Sequence, residues 1–460
     1  MSPLIILVIG ILVVLGMIIV LRINAFLALI TAAIVVSLLA PGELAVKISR
    51  VAEAFGSTAG KIGVVIALAA VIGRCLIDSG AADRIVRAFI RLLGEKRCPV
   101  SLMSSGFVLS IPVFFDTVFY LLLPLARSMH RQTKKSYLLL ILAMGAGASI
   151  THSLVPPTPG PLIIADTLGI DLGMMILIGL LTAIPTAIVI LFFIKWLTKR
   201  IDIPMRPLQA GQPEPEPLAD EQLPGLLASI APIILPVLMI SAHTVVSTLA
   251  EDATAASGLK RLEGFTAVLG NANLAMLLSA AIALIVLYRR RRPSRNELAG
   301  IVESSLMSGG VIILITSAGG AFGAMLKEAR IGPAIQNMLI SEGGQQVGGL
   351  KLLLLGYFIA FLIKFAQGSS TVSMITTSAM LASLIGSKEA IGYHPVYLAT
   401  AIGFGAQCGN WMNDSGFWIF AKMSGLTEVE TLKTWTVTVS TLAFIGLGFS
   451  ILFAKILPLV

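Results

Sequence analysis

Ten stretches of this chain, each 18 residues or longer, are dominated by apolar side chains. They lie near 3–21, 24–41, 60–77, 136–170, 172–198, 224–248, 271–288, 309–326, 393–421 and 432–459. A helix needs about 20 apolar residues to cross a bilayer's hydrocarbon. The chain therefore reads as an all-α polytopic membrane protein. Only 12% of its 460 residues are charged, against about 25% in soluble domains, which leaves no room for a separate soluble domain of ordinary size. In a soluble protein the net charge of +9 would suggest nucleic acid. Here it reads as orientation charge in short loops, and no nucleic-acid partner is expected. Cys75, Cys98 and Cys408 have neither disulfide nor metal-ligand spacing, so no metal and no cofactor are expected. Leu4–Val20 has no basic residue ahead of it and reads as a helix of the mature protein.

Two further apolar regions, 98–128 and 350–386, are too long for one span and are interrupted by "SIPVFFDT" (110–117) and "FAQGSST" (365–371). Each fits a re-entrant hairpin. "DRIVRAFIRLLGEKR" (83–97) has the spacing of an interfacial amphipathic helix, and the polar "GQPEPEP" (211–217) marks a linker over 201–222. Cytoplasmic loops carry the excess of Lys and Arg. Taking the loops around Arg22, 84–97, 127–135, 195–206, 289–295 and 422–433 as cytoplasmic places 21 of 33 basic residues there and nine opposite. Both termini then lie outside the cell.

The halves resemble each other. "GRCLID" (73–78) aligns with "GAMLKE" (323–328), and "DTV" (116–118) with "STV" (370–372). "GAGA" (145–148) aligns with "GFGA" (403–406), and "GPLIIADTLG" (160–169) with "GFWIFAKMSG" (416–425). The Arg-rich segment after "GRCLID" faces a nearly balanced "KEARIGPAIQ" (327–336). The expectation is two inverted-topology repeats, 1–200 and 223–460. Each would hold about five transmembrane helices and one re-entrant hairpin, with discontinuous helices at the midplane over 136–170 and 393–421.

The discontinuities follow from backbone chemistry. In "HSLVPPTPGP" (152–161) four prolines remove donors and break the helical ladder. "CGNWMNDSGF" (408–417) breaks with Gly, Asn, Asp and Ser instead. Unpaired amides in hydrocarbon cost several kcal/mol each, so such backbone persists only where protein buries it or where water and substrate meet it. Two broken helices and two hairpin tips would meet near the midplane, where freed amides and helix N-termini can hold an anion.

"IPVFFDTVFYLLLPLA", "ITHSLVPPTPGP", "QGSSTVSMITTSAM" and "NDSGFWIFAKMSGLTEVETLKTWTV" resemble signature stretches of the gluconate permease family, from about residue 60 to the C-terminus. The resemblance implies a proton-coupled symporter for gluconate or a related small hydroxy-monocarboxylate, acting in the cytoplasmic membrane. It also implies the inverted-repeat, homodimeric fold of the ion-transporter superfamily, in which a transport domain moves past a scaffold. Glycerate, D-serine or another sugar acid is the alternative cargo, and sodium the alternative coupling ion. Relatives often carry Glu where this chain has Asp116 and His where it has Thr158.

The candidate residues sit at the breaks. Asp116, at the first hairpin tip, is a carboxyl in apolar surroundings, which favour its protonated form as a proton carrier requires. Asp414, in the second break, shares that candidacy. His152, deep in a span, could relay a proton or donate to a substrate oxygen. Ser110, Thr117, Thr151, Thr158, Gln367, Ser369, Ser370, Thr371, Asn410, Asn413 and Ser415 offer the donor and acceptor groups a polyol needs, with Gly160 and Gly368 allowing close approach. Lys364, well inside the second hairpin, is a charge partner for the anion or for a carboxylate. No "GxxxxGK[ST]" motif suggests ATP drive, and no nucleophile elbow or "HExxH" supports an enzyme. A channel would need a continuous polar pore, whereas paired breaks suit an occluding site.

Overall fold

The computed structural model describes residues 2–21, 23–206, 220–250, 257–330, 349–382, 391–412 and 414–459. Every regular element among them is helical. Arg22, the linker's centre and parts of the second half (331–348, 383–390) lie outside these residues. Helix α1 (Pro3–Leu15, extended by a π turn at Gly16–Val20) and α2 (Ala25–Leu39) precede α3 (Val46–Asp78) and the short α4 (Ala81–Leu93). The first hairpin is α5 (Cys98–Leu109) and α6 (Phe115–Thr133). The first broken helix is α7 (Tyr137–Leu154) and α8 (Pro159–Leu168), followed by α9 (Leu172–Arg200).

The second half opens with α10 (Leu226–Ala250), α11 (Ser257–Leu269), α12 (Ala272–Arg291) and α13 (Arg295–Glu328). Its hairpin is α14 (Gly349–Gln367) and α15 (Ser370–Ala382). Its broken helix is α16 (Val396–Gly405) and α17 (Ser415–Ser424). The last helix, α18 (Glu428–Ile456), carries a π turn at Leu432–Thr436. Among the described residues, seven helical segments are long and apolar enough to cross a bilayer.

Two spans are longer than hydropathy suggests. The runs at 60–77 and 309–326 are the ends of α3 and α13, helices of 33 and 34 residues. Hydropathy registers only the apolar part of each. The polar first turns of α3 are held by Arg50, whose guanidinium donates to the carbonyls of Ser37 (2.6 Å) and Pro41 (3.0 Å) at the end of α2. The start of α13 is set by Ser294, whose hydroxyl accepts from Glu297 N at 3.2 Å.

The helices pack in two groups. Helix α3 lies along α13, with α2 against α13 and α12 against α3. In the other group α5 packs on α7 and α14 on α16, while α7 packs on α9 and α16 on α18. Across the halves, α15 meets α8 and α6 meets α17. Each hairpin thus touches the broken helix of the opposite half. A second apolar core, separate from the main one, joins α1, α2 and α13 through residues such as Leu29, Val36 and Phe322.

The hairpin arms sit close to the broken helices because glycine lies at both contacts. A Cβ on Gly147 would fall 2.2 Å from the Met103 carbonyl oxygen, and one on Gly405 would fall 2.3 Å from that of Tyr357. Backbone cannot give way as a side-chain tip can. Gly405→Ala is expected to cost at least the roughly 1–3 kcal/mol of an overpacked core and to lower the melting temperature in detergent. Unchanged melting would mean that α14 and α16 are not in close contact.

Ion pairs join the basic ends. Asp78 at the end of α3 pairs with Arg74 (2.8 Å) and Arg291 (3.6 Å). Asp220 pairs with Arg87 and Arg91 on α4, and the Arg87 hydrogen bond holds its carboxyl below the usual range. Arg206, at the other end of the linker, makes a bidentate pair with Glu430 at 2.6 Å.

Candidate functional site

Three helices begin at one cavity of about 520 Å³. Its lining includes Phe115 and Asp116 from the first turn of α6, Ser370 and Thr371 from that of α15, and Ser415 and Gly416 from that of α17. Local sequence explains each start. Before α6, "SIPVFF" breaks the hairpin, and Ser110 donates to the Val113 carbonyl at 3.2 Å within the turn. Before α15, Gly368 adopts φ +88°, a conformation that costs glycine little. Before α17, the Asp414 carboxylate accepts from Gly416 N at 2.7 Å as an N-cap. A helix N-terminus carries partial positive charge and free amides. Three of them aimed at one cavity favour an anion.

Charged groups surround the same space. Asp116 and Asp414 both line it. Lys364 is fully buried and pairs with Asp414, and it also donates to the Gly368 carbonyl at 2.5 Å. Its ammonium therefore reaches the cavity only through these partners. Asn410 donates from Nδ2 to Asp414 at 2.7 Å, leaving its buried Oδ1 without a partner among the described residues. The buried Nδ1 of His152 likewise has no hydrogen-bond partner among them. The His152 ring packs edge-on to Phe114, with centroids 6.0 Å apart.

The expected site residues divide. Asp116, His152, Gly368, Ser369, Ser370, Thr371, Asn410, Asp414 and Ser415 line the cavity. Five others do not. Ser110 is fully buried in the hairpin turn. Thr151 donates to the Phe107 carbonyl at 2.8 Å and joins α7 to α5. Thr158 donates to the Val155 carbonyl at 2.8 Å, within the break. Gly160 leaves room for Met374, whose Cε would lie 2.1 Å from an added Cβ. Thr117 faces a second cavity of about 200 Å³ between α3, α13 and the first hairpin. All but Thr117 serve local backbone or packing around the breaks, which position along the chain cannot reveal. Asn413 and the side chain of Gln367 lie outside what the structure describes.

Sequence reasoning missed the aromatic wall. Trp435, which lines the cavity from the π turn of α18, stacks on Phe420 (4.5 Å, 12°) and on Phe115 (5.5 Å, 25°). Ile312 of α13 and Ser149 and Ser153 of α7 also line the cavity. A tryptophan in "KTWTV" next to a transmembrane start was the available signal, but interfacial tryptophans are common enough to mask it.

Broken helices meeting around a polar cavity within a multi-pass bundle define a membrane carrier. The comparisons give the same class: the pattern of GntP family permeases matches residues 2–456, and the chain belongs to that family of transporters, not to an enzyme family. The gluconate permease of Pseudomonas aeruginosa is 30% identical over 440 residues, spanning 95% of this chain and 94% of that protein. The Gnt-II system L-idonate transporter of Escherichia coli (strain K12) is 30% identical over 446 residues, spanning 97% of each. Among solved structures, the YdaH transporter of Alcanivorax borkumensis superposes with a TM-score of 0.64 at 13% identity, over 95% of this chain and 98% of that one. That likeness concerns the fold alone.

Proposed function

We propose that this permease is a secondary active transporter that brings gluconate, or a related small hydroxy-monocarboxylate, into the cell together with a proton. The observation that carries the reading is the cavity on which three helix N-termini converge. Its volume of about 520 Å³ lies in the range of small-molecule sites. The N-terminal amides suit the carboxylate, and Ser369, Ser370, Thr371 and Ser415 suit the hydroxyls, because each can both donate and accept. Two full-length relatives are named for gluconate and L-idonate, both sugar acids.

Lys364 neutralises Asp414, so Asp116 is the carboxylate whose charge adds to that of the cargo. Moving uncompensated charge through hydrocarbon is costly. A proton on Asp116 when the anion is bound removes one charge from the loaded carrier. His152, which lines the cavity, positions the cargo. His152→Ala is expected to raise the half-saturation concentration about tenfold, the loss of one good hydrogen bond. An unchanged half-saturation value would exclude that contact.

The architecture proposed with this function has two inverted repeats, 1–200 and 223–460, joined by a linker at 201–222. It acts as a homodimer in the cytoplasmic membrane with both termini outside. The matched packing of α5 on α7 with α14 on α16 supports the duplication. Contacts among the basic segments, such as Arg127 donating to the Arg206 carbonyl at 3.0 Å, support their sharing one side. The decisive experiment is reconstitution in liposomes with labelled gluconate, idonate, glycerate and D-serine, with and without an imposed pH gradient. Saturable uptake that rises with the inward proton gradient is expected. Uptake indifferent to both pH gradient and membrane potential would refute proton coupling.

A further inference from the structure

We infer that the Lys364 ammonium is a built-in cation, filling from within the chain a monovalent-cation site formed by the second hairpin break and the second helix break. The inference rests on the proton-coupled reading above and deepens it, because sodium then has no place at that site.

The ligand set is the first argument. Lys364 is 0% exposed, and its Nζ meets two oxygens: the Gly368 carbonyl just past the end of α14, and the Asp414 carboxylate 50 residues further on. Carbonyls at the ends of broken helices, with a carboxylate beside them, are the groups that coordinate small cations inside transporters. An ammonium offers three donors and no acceptor, so it satisfies the same oxygens. The C-terminal end of a helix also favours positive charge.

A further oxygen stands ready beside it. Asn410 donates from Nδ2 to the same Asp414 oxygen at 2.7 Å, while its Oδ1 has no partner among the described residues although the residue is only 8% exposed. Turning this amide would offer a third oxygen to any ion that replaced the ammonium. The two breaks are also clamped independently of the charges. Trp411 Nε1 donates to the Phe365 carbonyl at 2.8 Å, and the two rings stack with centroids 5.1 Å apart.

The first half lacks the pair. Lys364 precedes "STV" by six residues and Asp414 precedes "GFWIFAKMSG" by two; the same steps before "DTV" and "GPLIIADTLG" reach Ser110 and Thr158. Those hydroxyls are satisfied locally by the carbonyls of Val113 and Val155. The lysine–carboxylate pair thus belongs to the breaks of the second half alone.

The test compares wild type with Lys364→Ala, and with Lys364→Ser as a second variant, in sodium chloride and in choline chloride of equal ionic strength. Melting in detergent reads the site without any substrate. Wild type is expected to melt at the same temperature in both salts. Each variant is expected to melt lower than wild type in choline and to regain about 3 °C or more in sodium, as mass action requires of an ion that binds only the folded state. Ethylammonium should give the same recovery. In liposomes, wild-type uptake driven by a pH gradient is expected to ignore sodium, while the variants depend on it about tenfold. Sodium stabilisation of wild type, or folded variants equally indifferent to sodium and ethylammonium, would overturn the inference. Should neither variant fold, the two wild-type salt comparisons decide. A wild type that carries no hydroxy acid but melts as described would sink the transport reading alone.

Discussion

Asp116→Asn is expected to abolish accumulation of the hydroxy acid against its gradient while leaving exchange of labelled for unlabelled substrate measurable. The substitution keeps the side chain's size and hydrogen-bonding capacity at the start of α6 but removes the proton-binding function. Asp116 lines the cavity and lies in the first turn of α6. Its partner acid, Asp414, is already committed to Lys364, Asn410 and the Gly416 amide. A carrier that cannot release its proton still exchanges cargo in the loaded form, but it cannot couple net movement to the pH gradient. Both quantities are read in the same proteoliposomes, by uptake under an imposed gradient and by counterflow at equal pH. Full accumulation with an unchanged pH dependence would remove Asp116 from the mechanism.

The second large effect is on folding. Asp414→Ala leaves the Lys364 ammonium buried with no carboxylate, and stranding one member of a buried pair typically costs about 3–5 kcal/mol. It also removes the cap of α17, worth about 1 kcal/mol in typical cases. Such a loss is comparable to the whole stability of many proteins. The single variant is expected to yield little folded protein, visible as aggregation in size-exclusion chromatography. The double variant Lys364→Met, Asp414→Asn removes both charges and keeps an amide at the cap, and it is expected to recover most of the folded yield. If Asp414→Ala alone gave a monodisperse protein with wild-type melting, the ion pair would contribute nothing to the fold.

These two residues also show how differently the chain reveals its features. Asp116 could be singled out from the sequence because a carboxylate in the middle of "IPVFFDTVFYLLL" is costly in hydrocarbon. The break after "SIPVFF", the proline-rich interruption at 155–159 and the glycine at 368 all appear where the apolar pattern fails. Each is a local event in which the backbone loses its own pairing. The hydroxyls proved harder. Ser369 and Ser370 line the cavity, whereas Ser110 and Thr158, equally polar and equally near a break, serve carbonyls three residues away. No pattern along the chain distinguishes a hydroxyl facing a cavity from one closing a turn.

The sequence by itself determined the membrane class and the places where the apolar helices break. Each of these depends on whether a short stretch can satisfy its own backbone in lipid, a question answered within about 20 residues. Only the tertiary structure decided that three helix starts face one cavity, that Lys364 is committed to Asp414, and that Trp435 walls the site between Phe115 and Phe420. Those contacts join residues from 15 to 320 positions apart. Coulomb attraction and ring stacking depend on distance in space, and packing sets that distance.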